Sequence, residues 1–435
     1  MPREADIEPL PSEAAGAPRW AEGLEWLAAL AAVRILVMLG IGWLTGGRHF
    51  TDDWVFELGF IKDPFQILMS REGEGAPYQP PLAPFMSFLF GAPFVGLLPS
   101  FYAIRCFSIL GELAAWPIVW RLLTTAVGSI RTQRLLALTY VLMPVGWATT
   151  SLFAEEEPIA MLCFAAIMLL VLKGRIKWAI LLASIGVVTA KVYFLIPLLA
   201  LTAGPKPGSL KEWLRRLALA VGPIALVYGI VQFSLWQQHR ASPLMEFTPH
   251  GIHSTSIWVL IRAWLDLSLE STKHLSMLTG FLTGITPLVV ARVRRIPCEG
   301  MTLVRIMTAM ILFVFMWFYH CDPEYYLIVT PGILICFPPV AAVLIAVVGL
   351  AIPYAINLFY GVAMAREAAT EEGKTVIVHL YDRFVHWDPD TWHTISLLAL
   401  CALSLTITLW LTLQVARAPR SVRPIRRAGG ASGRS

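Results

Sequence analysis

Charge is scarce in this chain. Asp, Glu, Lys and Arg together make up 14% of its 435 residues, against about a quarter in a soluble domain. With 57% hydrophobic residues and a mean hydropathy of +0.66, the composition excludes an ordinary soluble enzyme and implies a polytopic membrane protein. Cysteine organisation is also missing. Cys106, Cys163, Cys298, Cys321, Cys336 and Cys401 are scattered with no CxxC, so neither a disulfide framework nor a zinc knuckle is indicated. There is no Walker loop, no GxGxxG after a strand, no HExxH and no GxSxG. Those absences remove ATPases, dehydrogenases, zincins and hydrolases of the usual types. The net charge of +5 is modest and is accounted for by loops facing anionic lipid, so no nucleic-acid partner is expected. Residues 1–19 lack the basic start and apolar run of a signal peptide. They carry Pro2, Pro9, Pro11 and Pro18 and read as a disordered cytoplasmic tail. Residues 416–435, with Arg417, Arg420, Arg423, Arg426 and Arg427, read as a basic tail on the inner leaflet.

Apolar runs are what the chain has in abundance. A crossing needs roughly 20 such residues. Spans are expected at 24–44, 101–121, 134–152, 159–172, 217–236, 273–291, 303–319 and 395–415. Residues 176–203 read as a hairpin of two short helices with Lys191 at its outer bend. Residues 325–363 read as a second hairpin, broken at Phe337-Pro338-Pro339. The expected fold is an all-α polytopic membrane protein with about 12 crossings, its transmembrane unit covering 20–415 with no separate soluble domain. Residues 80–97 are apolar but interrupted by Pro80, Pro81, Pro84 and Pro93. Proline removes a helix donor and clashes with the preceding turn, so this piece reads as interfacial or re-entrant.

Cytoplasmic loops carry the Lys/Arg excess, which puts segments 45–79, 153–158, 237–272, 320–326 and 364–394 outside. All nine histidines and most of the acids then fall in or beside outer segments, although neither was used to place them. A basic inner face and an acidic, His-bearing outer face suggest an enzyme working outside the cytoplasm, in the plasma membrane.

Thr51-Asp52-Asp53-Trp54 follows the first span. A carboxylate there can take a proton from a hydroxyl as general base; two adjacent acids can also hold a divalent cation such as Mg or Mn. The plain alternative is a solvated loop or an acidic helix cap. Tyr78-Gln79-Pro80-Pro81-Leu82 steers the chain back to the membrane, with Tyr78 able to touch a ligand. Glu155-Glu156-Glu157 stands before Pro158. Adjacent carboxylates repel, so at least one should seek a cation or a shared proton, unless all three merely form a solvated helix start. Lys191 needs an anion, a lipid phosphate among the candidates, or a route by which to snorkel. His320-Cys321-Asp322-Pro323-Glu324-Tyr325-Tyr326 is either a ligand-contacting turn or an interfacial aromatic belt. Arg34 and Glu112 lie at matching depth in the spans flanking the first outer loop, and each should seek the other.

Taken in order, these pieces resemble the multi-spanning C-type glycosyltransferases that use polyprenyl-phosphate sugars, including dolichyl-phosphate-mannose mannosyltransferases. The resemblance runs over roughly residues 24–350. The matching pieces are Asp52-Asp53, the Tyr78 to Leu82 re-entry, Glu155 to Glu157, the Lys173-Gly174-Arg175 turn, Lys191 to Pro197, and His320 to Pro331. Two features depart from the pattern. Many relatives have Gln-x-Asp where this chain has Glu-Glu-Glu-Pro, and segment 364–394 has no counterpart. The resemblance implies inverting transfer of one sugar, mannose among the candidates, from a polyprenyl-phosphate donor to a lipid, glycan or protein acceptor. Asp52 or Asp53 would be the base. Lys191 and His320 would face the donor phosphate, and Glu155 or Glu156 would complete the site, beside Tyr325 and Tyr78. Relatives with and without a divalent cation exist. Two other classes stay open: a transporter or flippase of a lipid-linked sugar, which would place charges along a midplane path, and a non-catalytic membrane scaffold of the same fold.

Overall fold

The computed structural model describes residues 20–47, 61–65, 80–206, 209–237, 257–317, 323–351 and 389–419. Among them every regular element is helical. In chain order these are α1 (Trp20–Thr45), α2 (Ala83–Gly91), α3 (Ser100–Ala126), α4 (Ile130–Leu142), α5 (Pro144–Trp147), a π-helical turn (Ala148–Phe153) and α6 (Glu157–Leu172). Then come α7 (Ile176–Thr189), a 3₁₀ turn (Val192–Phe194), α8 (Leu195–Ala203), α9 (Leu210–Gln237), α10 (Ile257–Leu265), α11 (Leu269–Gly284) and α12 (Thr286–Val293). The series closes with α13 (Gly300–Trp317), a 3₁₀ turn (Pro323–Tyr325), α14 (Tyr326–Cys336), α15 (Pro339–Val343), a second π-helical turn (Leu344–Gly349) and α16 (Pro389–Arg417).

Among the described residues seven stretches are long and apolar enough to cross a membrane: Trp20–Thr45, Ser100–Ala126, Ile130–Phe153, Leu210–Ser234, Glu270–Val293, Gly300–Trp317 and Thr394–Arg417. The chain is an integral membrane protein. The centre of the bundle is α3, α6, α13 and α14, packed on one another with α7 and α16 alongside. By contrast α1 and α9 expose apolar side chains such as Leu36, Trp43, Leu226 and Trp236 around most of their circumference.

The hairpin expected at 176–203 is present. Phe194 folds back so closely on α7 that a Cβ at Gly186 would meet its ring at 2.9 Å. Its arms return to a basic end, where Arg292 donates to the Ala203 carbonyl, Arg216 to the Pro205 carbonyl at 2.9 Å, and Arg294 to the Ala416 carbonyl at 3.3 Å. The helix break at Phe337-Pro338 is also observed.

Residues 80–97 yield only the short α2, about 14 Å long and packed on α3. A fully helical stretch within the segment expected as a loop at 237–272 corrects that expectation. Ile257–Leu265 is α10, whose buried Trp258 donates to Thr279 Oγ1 at 3.1 Å while Trp264 stays exposed. Apolar residues at helical spacing gave that piece a face to bury.

The third span is broken where Pro144 stands. Proline has no N–H, and Met143 is extended (φ −59, ψ 134), so the Tyr140 and Val141 carbonyls lose their helical donors. Arg34 replaces them. Its Nη1 donates to Val141 O at 2.7 Å and Nη2 reaches Tyr140 O at 3.5 Å. The same guanidinium forks onto Glu112, Nε to Oε2 at 2.7 Å and Nη2 to Oε1 at 2.8 Å, and both side chains are wholly buried. The pair expected from matching depth is therefore present. Gly146 makes room for it: a Cβ there would stand 2.3 Å from Arg34 Nη2.

Candidate functional site

Beyond the break only the single turn α5 is α-helical before α6. Residues 148–153 form a π-helical turn ended by Ala154 in the left-handed region (φ 69, ψ 40), a conformation that L side chains adopt at a cost. Such π segments are frequent at functional sites. This one is held from α3. The buried Arg105 donates from Nε to Ser151 O at 3.0 Å and from Nη2 to Leu152 O at 2.6 Å, with its guanidinium 3.6 Å over the Phe101 ring. Ser108 Oγ donates to Glu155 O at 2.5 Å, and Ser151 Oγ to Arg34 O at 2.9 Å. These bonds fix the three carboxylates that follow. Glu156 is the N-cap of α6 and Glu157 its first residue, ahead of Pro158. An anion suits that end of a helix, and proline suits its first turn.

The tip of the α7–α8 hairpin meets these acids. Lys191, extended between the two helices (φ −151, ψ 143), puts Nζ 2.5 Å from Glu156 Oε1 and 2.9 Å from Glu157 Oε1. The ammonium also lies 4.7 Å from the centre of the Tyr325 ring. An aromatic wall stands behind it, with Tyr193 against both Phe315 and Tyr325 at 5.4 Å between ring centres. Burial alone would pull the Lys191 ammonium down. The Glu156 and Glu157 carboxylates outweigh it, so the group is held well above the ordinary lysine range and stays charged.

Glu156 and Glu157 are 8% and 1% exposed, and Lys191 is 8% exposed. The solvated helix start is thus overturned for these two acids, and Lys191 finds an anion rather than snorkelling. Tyr325 and Tyr326 are buried as well, which removes the interfacial-belt reading: Tyr326 is hydrogen-bonded to Ser404 of α16. Glu157 Oε2 is buried without a hydrogen-bond partner.

The re-entry segment reaches the same place. Pro80 and Pro81 are buried, and the Leu82 N–H donates to Val188 O at 2.8 Å, satisfying a carbonyl left free at the end of α7. Ile61, from the first outer segment, packs with Phe107 of α3 and Ile159 of α6. Of the residues expected at the site, the structure brings Lys191, Glu156 and Tyr325 together, with Glu155 one residue away. Asp52, Asp53, Tyr78 and His320 lie outside the described residues, as do 352–388, most of the outer segment 364–394, and both expected tails up to residue 19 and from 420.

The resemblance gave site roles to Glu155 and Glu156 but none to Glu157, and Arg105 was not singled out by the sequence. The signal for Arg105 was its position inside an apolar span, where an arginine needs acceptors. Glu155, Glu156 and Glu157 each offer a carboxylate oxygen, all within 4.8 Å of one another. That is an all-oxygen donor set of the kind Mg or Mn takes. No protein-family model matches this chain, and no curated protein matches it. The class that fold and site define is an integral membrane protein whose described elements are helical and enclose a buried carboxylate–ammonium–aromatic cluster.

Proposed function

We propose that this chain is an integral-membrane glycosyltransferase. It moves one sugar, mannose among the candidates, from a polyprenyl-phosphate donor to a lipid, glycan or protein acceptor, with inversion, on the non-cytoplasmic face of the plasma membrane. The observation that carries this reading is the convergence of Glu156, Glu157, Lys191 and Tyr325 from three separate parts of the chain. Carboxylates accept the hydroxyls of a sugar, aromatic faces pack on its C–H surface, and a fixed cation favours departure of a phosphate. The seven long and five shorter apolar helices among the described residues support a reading of about 12 crossings in the C-type pattern.

In this reading the acceptor oxygen bonds to the anomeric carbon as the carbon–oxygen bond to the lipid phosphate breaks. The hydroxyl proton passes to Asp52 or Asp53, and the electron pair leaves with the phosphate. Lys191 has three N–H donors. Glu156 and Glu157 engage it through two contacts, which leaves one for the phosphate, a role that the resemblance also gives to His320. Tyr78 is the further substrate contact in this reading.

The test is sugar transfer by purified protein from a radiolabelled polyprenyl-phosphate hexose. Asp52→Asn or Asp53→Asn should lower turnover on the order of 10²–10⁴-fold, the usual effect of losing a general base. Near-normal turnover in both variants would remove the assigned base.

A further inference from the structure

The residues present do not fit the divalent cation that the acidic cluster and the resemblance suggest. Three carboxylates within 4.8 Å of one another would serve a hard cation, but Lys191 Nζ already stands 2.5 Å from Glu156 and 2.9 Å from Glu157. A metal ion bridging those oxygens would sit within a few ångströms of the ammonium. At that distance two like charges repel by far more than thermal energy in a buried site. Nor can the ammonium step aside into water: Lys191 is 8% exposed and backed by the Tyr325 ring.

We infer that Lys191 is the resident cation of the Glu155–Glu157 cluster and that it takes the place of a divalent metal, so the site works metal-free and becomes a metal site only when the lysine is removed. The second observation is Glu157 Oε2, buried and without a partner. With the ammonium gone, Glu157 Oε2 is open to a metal and Oε1 has lost its cation. Metal-free action rests on the proposed transfer reaction, whereas the cation exchange does not, so binding is measured apart from catalysis.

The probe is Mn²⁺, followed by electron paramagnetic resonance on full-length protein in detergent. Wild type should show no Mn²⁺ site that disappears on Glu157→Gln. Lys191→Ala should gain one site, tighter than any wild-type affinity at these residues on the order of 10²-fold or more, and Lys191→Ala/Glu157→Gln should lose it. Lys191→Met keeps the side-chain volume and should behave like Lys191→Ala if the alanine variant fails to fold. A wild-type Mn²⁺ site abolished by Glu157→Gln would overturn the inference, as would folded Lys191→Ala or Lys191→Met protein that gains no site. The wild-type comparison decides by itself if neither lysine variant folds. Loss of wild-type sugar transfer on chelation, restored by Mn²⁺, would also overturn it; absence of transfer under every condition would instead count against the glycosyltransferase reading.

Discussion

Arg34 does two things with one guanidinium: it neutralises Glu112 and it donates to the carbonyls that Pro144 releases. Removing one partner of a buried pair strands the other, at about 3–5 kcal/mol. Arg34→Leu should therefore lower the thermal midpoint in detergent sharply, and Arg34→Leu/Glu112→Gln should regain a large part of the loss. Additive effects of the two changes would show that the pair is not coupled. Gly146→Ala should destabilise by crowding the same guanidinium, because its Cβ would fall 2.3 Å from Nη2; an unchanged midpoint would show that the pair moves freely. The pairing was legible in the sequence because charges in apolar runs are rare and their depth follows from span register. The plugging of the helix break was not, because its acceptors are backbone carbonyls and carry no residue signature.

At the level of elements, the decisive piece is the stretch from the Pro144 break through the π-helical turn to Glu157. Arg105 supplies donors to Ser151 O and Leu152 O from outside that stretch. Arg105→Met keeps the bulk and removes the donors, leaving buried carbonyls unsatisfied, each costing about 1–3 kcal/mol. Hydrogen–deuterium exchange should rise over residues 148–157 while α6 keeps its protection; unchanged exchange there would mean that Arg105 does not hold the turn. The hairpin with Lys191 at its bend, the break at Phe337-Pro338 and the short α2 could be read from prolines and apolar runs. The π turn could not, since nothing in Ala148-Thr149-Thr150-Ser151-Leu152-Phe153 distinguishes it from an α-helix before its packing is known. Glu157, the deepest acid, was hidden for a related reason. Three identical residues in a row differ only in which way the backbone turns each, and Ala154 in the left-handed region sets that turn.

For the whole molecule, sidedness is the strongest test. The basic end bears the exposed Arg175, Arg215 and Arg294. Single cysteines at these positions, in a background without native cysteines, should resist an impermeant maleimide applied from outside, while cysteines at His250 and Arg383 should label. The reverse pattern would move the Glu156–Lys191 cluster to the cytoplasmic face and remove the proposed extracytoplasmic chemistry. Folding in a membrane also has an order in time, and the buried arginine of α1 bears on it. During synthesis α1 leaves the ribosome well before Glu112 exists, carrying an unpaired charge worth roughly 2.5–3.5 kcal/mol against insertion at a helix centre. Its first stable placement should await α3. Nascent chains arrested after residue 126 should therefore integrate α1 more completely than chains arrested before residue 100, and Arg34→Leu should abolish the difference. An early step of biogenesis would then be the joint entry of two helices, with Arg34 and Glu112 meeting in the translocation channel.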